Sequence, residues 1–198
     1  MPFERSEKGM EYKMYIIIGL GNPEKDYSNT RHNMGFQVIN KLAKQYEIEV
    51  TKSKFKGLYG NGVIEGEKVI LLKPQTFMNL SGESVKEILQ FYKIEIEKII
   101  LIYDDIDIEP GVIKIRKTGG PGTHNGMKSV VHETNTQNFK RVRVGIGMPE
   151  DKEDLIEYVI GAIPEEDKEP LEKGIELAKE AVVEIIKNGI DIAMNKFN

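Results

Sequence analysis

Tyr15-Ile16-Ile17-Ile18-Gly19-Leu20-Gly21 is an unbroken apolar, mostly β-branched run that gives way to glycines. Such a run reads as a strand buried on both faces and leading into a tight loop, which places it in the middle of a helix-covered sheet. A second run of the same kind, Ile99-Ile100-Leu101-Ile102-Tyr103, stops at the acid pair Asp104-Asp105. Between the two, Phe36, Val38, Ile39, Leu42, Ala43 and Tyr46 recur at helical spacing over 35–46. Val85, Ile88, Leu89 and Tyr92 do the same over 81–92. Two alternating runs within 55–72, parted by Glu65-Gly66-Glu67, predict an antiparallel hairpin. Beyond Pro110-Gly111 the pattern predicts a short strand over 112–116, a loop at Gly119-Gly120-Pro121-Gly122, a short helix over 125–132 and a strand over 141–146. An amphipathic helix follows over 164–188, with acids in its first turn and Asn188-Gly189 at its end. The economical reading is an α/β fold, a single domain with a twisted mixed β-sheet flanked by helices.

The chain of 198 residues is long enough for one large domain that hides roughly 70% of its unfolded surface. It contains no cysteine, which excludes disulfides, thiolate nucleophiles, iron-sulfur clusters and Cys-ligated zinc. Residues 1–13 are charged and lack the apolar stretch of a secretory signal. The apolar run over 14–20 is far shorter than the roughly 20 residues needed to span a bilayer. We therefore expect a flexible N-terminal extension over 1–13, a folded domain over 14–198, a cytoplasmic location and no membrane partner. Net charge is −4, which argues against nucleic acid as a partner. The distribution argues the other way: Lys114, Arg116, Lys117, Lys128, Lys140, Arg141 and Arg143 face the single acid Glu133 across 112–144. That stretch reads either as a phosphate-binding face or as ordinary solvated charge.

Several loops that follow strands or introduce helices carry polar groups suited to an active site: Asn22, His32, Asn79, Asp104 and His124-Asn125. Open α/β sheets bind ligands outside the carboxyl ends of their strands, so these residues are expected to converge. A histidine with a carboxylate beside it makes a base whose tautomer is fixed and whose protonated form is stabilised. With no cysteine and no Gly-x-Ser-x-Gly elbow in the chain, water is left as the attacking species. The amides of Asn22, Asn79 and Asn125 are suited to holding a scissile carbonyl and donating to its oxyanion. Each residue also has a plainer reading, as a helix cap or a solvated loop group, with Asp105 or Asp107 in the role given to Asp104. A dinucleotide site after the first strand is disfavoured, because Glu24 stands where the third glycine of that fingerprint belongs. The three histidines, His32, His124 and His132, form no close ligand pair in the sequence, so we expect no metal.

The ordered blocks Gly19-Leu20-Gly21-Asn22-Pro23, Thr30-Arg31-His32-Asn33-Met34-Gly35, 73–82 from Lys73-Pro74 to Ser81-Gly82, 103–107 around Asp104, His124-Asn125-Gly126 and 141–147 resemble the bacterial-type peptidyl-tRNA hydrolase family. The resemblance runs over nearly all of 14–161. It implies hydrolysis of the ester between a peptide and the 3′ end of tRNA, recycling tRNA from aborted translation, without a cofactor, by a monomer. It further implies His32 as general base with Asp104 as its partner, and Asn22, Asn79 and Asn125 as holders of substrate and water. Met78 would line the peptide channel and Tyr27 would face the terminal nucleotide. Lys114, Arg116 and Arg143 would meet tRNA phosphates. The sequence departs from the family at Pro121 and Thr123, where a histidine and a glycine are common. A non-catalytic RNA-binding module and a small-molecule esterase or amidase are the competing readings.

Overall fold

The structure, a computed structural model, describes residues 14–149 and 155–198, so the extension expected over 1–13 lies outside the described residues. Seven strands form one mixed sheet: β1 (Met14–Gly19), β2 (Lys52–Lys54), β3 (Gly57–Ile64), β4 (Glu67–Pro74), β5 (Ile99–Asp105), β6 (Ile113–Arg116) and β7 (Lys140–Gly145). Their order is β2-β3-β4-β1-β5-β7-β6. β4, β1, β5 and β7 run parallel, while β2 and β3 at one edge and β6 at the other are antiparallel to their neighbours. β1 is central, as its apolar run predicts, and Ile16, Ile17 and Ile18 are fully buried.

Strand alternation divides the core into two layers. Ile17, Leu71, Ile100, Ile102, Val142 and Val144 pack with α1 (Met34–Gln45) and α5 (Glu165–Asn188) on one face. Ile16, Ile18, Ile70, Leu72, Leu101 and Tyr103 pack with α2 (Ser81–Tyr92) and α3 (Asn125–Thr134) on the other. Each such side chain contributes roughly 1.5–3 kcal/mol by leaving water. Glycines at the end of β1 and the start of α1 serve this packing. A Cβ on Gly19 would lie 2.1 Å from the Gly35 carbonyl oxygen, and one on Gly35 would lie 2.4 Å from Leu20 N and Ile102 O. Helix α1 therefore rests directly on the ends of β1 and β5.

Three elements go beyond the sequence reading. β2 is short, exposed and lysine-bearing, and it exists by pairing with β3 through a turn in which Phe55 and Lys56 both have positive φ (58° and 48°). α4 (Leu155–Ile160) and α6 (Ile190–Phe197) flank α5; α4 buries no residue of its own. Among the described residues, no helix is long and apolar enough to cross a membrane.

Candidate active site

The carboxyl ends of β1 and β5 and the starts of α1 and α3 bring the polar groups together. His32 lies in a short 3-10 turn, Arg31–Asn33, that leads into α1. Asp104 is near the end of β5, and His124 caps α3. His32 Nδ1 sits 2.9 Å from Asp104 Oδ2 and 3.1 Å from Oδ1. On the other side of the same carboxylate, His124 Nε2 lies 3.0 Å from Oδ1. The carboxylate is 2% exposed, against 12% and 10% for the two imidazoles.

The hydrogen bonds settle the tautomers. His124 Nδ1 accepts from the Met127 backbone N–H at 3.2 Å, so Nε2 carries the proton that is donated to Asp104. His32 Nδ1–H likewise donates to Asp104, so in the neutral imidazole Nε2 is the lone-pair nitrogen, on a residue lining the cleft. Burial would raise the Asp104 pKa, but the charges and hydrogen bonds of His32 and His124 outweigh it and hold the carboxyl well below the usual carboxylate range. For His32, burial pulls the pKa down and the Asp104 carboxylate pulls it up; the carboxylate wins, and the net shift is upward from 6.5.

The expectation that the histidines form no close pair is corrected here. His32 and His124 have ring centroids 5.0 Å apart, and with Asp104 they offer ligand atoms within 4.8 Å of one another. Sequence spacing hid this because the two rings are far apart along the chain and meet only when it folds back on itself. The donor set is nevertheless a poor fit for a resident cation: coordination through His124 Nε2 would require its proton to leave, and moving it to Nδ1 would break the bond from Met127. His132, by contrast, is exposed on α3.

Asn22 is buried and bridges two loops. Its Oδ1 accepts from the Met78 backbone N–H at 2.9 Å, while Asn33 holds its backbone N–H and carbonyl at 2.7 and 3.0 Å. The amide nitrogen of Asn22 makes no hydrogen bond among the described residues. Met78 is buried, and a Cβ on Gly126 would meet its sulfur at 2.6 Å and His124 Cε1 at 3.0 Å. A larger residue at 126 would therefore push the Met78 side chain away. Asn79 and Asn125 are exposed and Tyr27 is half-buried.

A cleft of about 320 Å³ is lined by His32, Asp104, His124, Asn125, Arg116 and Arg143, together with the Gly119–Gly122 loop and α4. Asn22, Tyr27, Met78, Asn79 and Lys114 do not line it. Register explains its charge. Val142 and Val144 belong to the α5 layer, so Arg141 and Arg143 point to the opposite face, with Arg116 and Lys114 directly across from them on β6. Like charges in opposite positions repel, and the fold offsets them unequally. Arg143 Nε bonds Asp105 at 2.7 Å, Lys114 Nζ bonds the Asn198 main-chain oxygen at 2.7 Å, and Arg116 stays exposed. Arg141 is withdrawn from the basic face: it is 2% exposed, and its guanidinium binds the carbonyls of Gly119 and Gly120. Sequence reasoning placed His124 among the polar loops without a role and read Arg141 as surface charge. The position of His124 at a helix start was the one available signal.

Fold and site define an α/β enzyme with a histidine–carboxylate pair at the carboxyl edge of its sheet. The family model described as "Peptidyl-tRNA hydrolase" matches residues 16–198. A peptidyl-tRNA hydrolase from Caldanaerobacter subterraneus subsp. tengcongensis is 54% identical over 93% of this chain and all of its own length. One from Clostridium botulinum is 52% identical over 93% of this chain and 96% of its own. The crystal structure of peptidyl-tRNA hydrolase from Acinetobacter baumannii superposes with a TM-score of 0.88 at 39% identity, covering 96% of this chain and 97% of that one. Uridine phosphorylase from Vibrio fischeri, at 10% identity and a TM-score of 0.53, shares the fold alone. The chain belongs to the peptidyl-tRNA hydrolase family, and it is a hydrolase.

Proposed function

We propose that the protein hydrolyses the ester joining a peptide, or an N-blocked amino acid, to the 3′ ribose of tRNA, with His32 as the general base and water as the nucleophile. Neutral His32 removes a proton from water through Nε2 while its Nδ1–H stays on Asp104. The water oxygen bonds to the carbonyl carbon, and the carbonyl oxygen becomes an oxyanion. Collapse of that intermediate breaks the bond to the ribose oxygen, which takes the proton back from Nε2–H. The peptide's carboxylic acid, which releases its proton to solvent to become carboxylate, and tRNA with a free hydroxyl result, without a covalent enzyme intermediate. A positioned base is worth about 10²- to 10⁴-fold and one oxyanion donor about 10²- to 10³-fold.

The observation that carries this reading is the 2.9 Å contact of His32 Nδ1 with a buried, ionised Asp104 at the cleft wall, in a chain with no cysteine. The amide nitrogen of Asn22, with Asn79 and Asn125, supplies donors for the carbonyl and the water. His124 acts through Asp104, as a second fixed donor that keeps the carboxylate ionised and oriented. Met78 borders the peptide, and Tyr27 faces the terminal nucleotide. Arg116, Arg143 and Lys114 receive phosphates, a role that the opposed cations of β6 and β7 support. The enzyme works as a cytoplasmic monomer without metal or organic cofactor and returns tRNA from aborted translation.

The test is incubation of the purified protein with N-acetylated aminoacyl-tRNA, with and without chelator. Release of free tRNA in both is expected, and His32→Ala is expected to lose turnover while keeping its tRNA affinity. A chelator-sensitive reaction points to a metallohydrolase, tRNA binding without release to a binding module, and hydrolysis by His32→Ala to a different base.

A further inference from the structure

Helix α4 walls the cleft with Leu155, Ile156 and Val159, and Ile156 is 75% exposed. Six residues with none buried do not hold a helix in place by themselves, so contacts from outside must do it. Tyr158 and Val159 pack against the core layer of α1 and α5, and two side-chain hydrogen bonds add to this among the described residues. The Tyr158 hydroxyl donates to the Ile146 carbonyl at 2.5 Å, and Arg31 Nη1 donates to the Tyr158 carbonyl at 3.2 Å. The Arg31 guanidinium also lies 4.0 Å from the centre of the Tyr158 ring and pairs through Nη2 with Asp167 in the first turn of α5. Arg31 is 3% exposed, and its Nε has no partner.

Arg31 immediately precedes His32 in the same three-residue turn, whose last member, Asn33, holds Asn22. We infer that Arg31 is a positioning residue that couples the seating of α4 on the cleft to the setting of His32 against Asp104. The inference rests on His32 being the base. With α4 seated, the buried guanidinium has a carbonyl, an aromatic face and a carboxylate. With α4 lifted, it loses the carbonyl and the ring and keeps the carboxylate alone, so the guanidinium is held differently in the two positions. A turn of three residues cannot absorb the resulting shift without carrying the imidazole along. A substrate that covers the exposed Ile156 would seat α4 and align the base in one event, so the coupling acts on chemistry more than on tRNA affinity.

The test compares Arg31→Lys, which keeps charge but loses the stacking plane, with Tyr158→Leu, which loses the ring. Steady-state kinetics on N-acetylated aminoacyl-tRNA should show kcat lowered roughly 10- to 100-fold, with KM and tRNA affinity held within about twofold. Methylguanidinium added to Arg31→Ala should restore part of the missing kcat. Wild-type kcat in Arg31→Lys and Tyr158→Leu, alongside an inactive His32→Ala, would overturn the coupling and leave the base assignment standing. Equal losses of kcat and tRNA affinity would overturn it too. Should an Arg31 variant fail to fold, Tyr158→Leu decides by the same split. Turnover by His32→Ala would instead remove the base, and this inference with it.

Discussion

His32 and His124 hold one carboxylate from opposite loops, the first through Nδ1 at 2.9 Å and the second through Nε2 at 3.0 Å from Asp104. The two imidazoles are not equivalent. His124 has both nitrogens committed, whereas His32 is held through Nδ1 alone among the described residues.

Replacing His124 should therefore weaken the site without abolishing it. We expect His124→Ala to lower kcat less than His32→Ala does. It should also destabilise the fold by about 1.5–3 kcal/mol, the range for removing a hydrogen bond to a charged group. Urea denaturation beside single-turnover hydrolysis checks both, and a kcat loss as deep as that of His32→Ala would make His124 a second essential group.

The acid limb of the pH–rate profile follows from the raised His32 pKa. A base must be neutral to act, so kcat/KM should climb with pH through a midpoint above 6.5, the ordinary histidine value. In Asp104→Asn the upward pull is gone and burial acts alone, so the midpoint should fall below that of the wild type. A profile recorded between about pH 5 and 9 decides it.

Stability should depend on pH in the complementary sense. His32 has a folded pKa above its unfolded one, so its pairing is fully present below 6.5 and is lost as pH rises through the raised value. Asp104 has a depressed folded pKa, so its contribution is present above 3.8 and is lost as pH falls. The stability gap between wild type and His32→Ala, read by urea titration, should accordingly be wider at mildly acidic than at alkaline pH.

Arg143 and Lys114 stand opposite each other on β7 and β6. Arg143→Ala and Lys114→Ala should each weaken tRNA binding and flatten its log–log salt dependence by roughly 0.7 to 0.9 for each phosphate no longer neutralised. Fluorescence titration at several salt concentrations gives the slope, and an unchanged slope takes that residue off the phosphate face.

Gly35→Ala should destabilise the fold by about 1–3 kcal/mol or more, since its Cβ would press on Leu20 N and Ile102 O. Chemical denaturation measures the loss, and an unperturbed midpoint would mean that α1 can retreat from the sheet.

What was legible in the sequence was what local pattern controls. β1 is apolar throughout, β5 is apolar up to its closing pair Asp104-Asp105, and α2 begins and ends where its periodicity does. β2 was not legible because Lys52-Ser53-Lys54 has no apolar face and acquires its conformation only from β3. α4 is too short for a period to register, whereas α6 carries one at Ile190, Ala193, Met194 and Phe197 that the sequence reading passed over. At the site, His32 and Asp104 could be picked out by their places after strands and before helices. The contact of His124 with that same carboxylate, and the burial of Arg31 and Arg141, are products of long-range folding. A guanidinium in a sequence looks like surface charge until the chain around it is known.

The grip of Arg141 on Gly119 and Gly120 is a grip on peptide oxygens. Every amino acid supplies the same oxygen, so this anchor is indifferent to the side chains it secures. The residues at 121 and 123 can then be exchanged while the strap lining the cleft keeps its course. Variation there retunes what the strap touches and leaves its attachment alone.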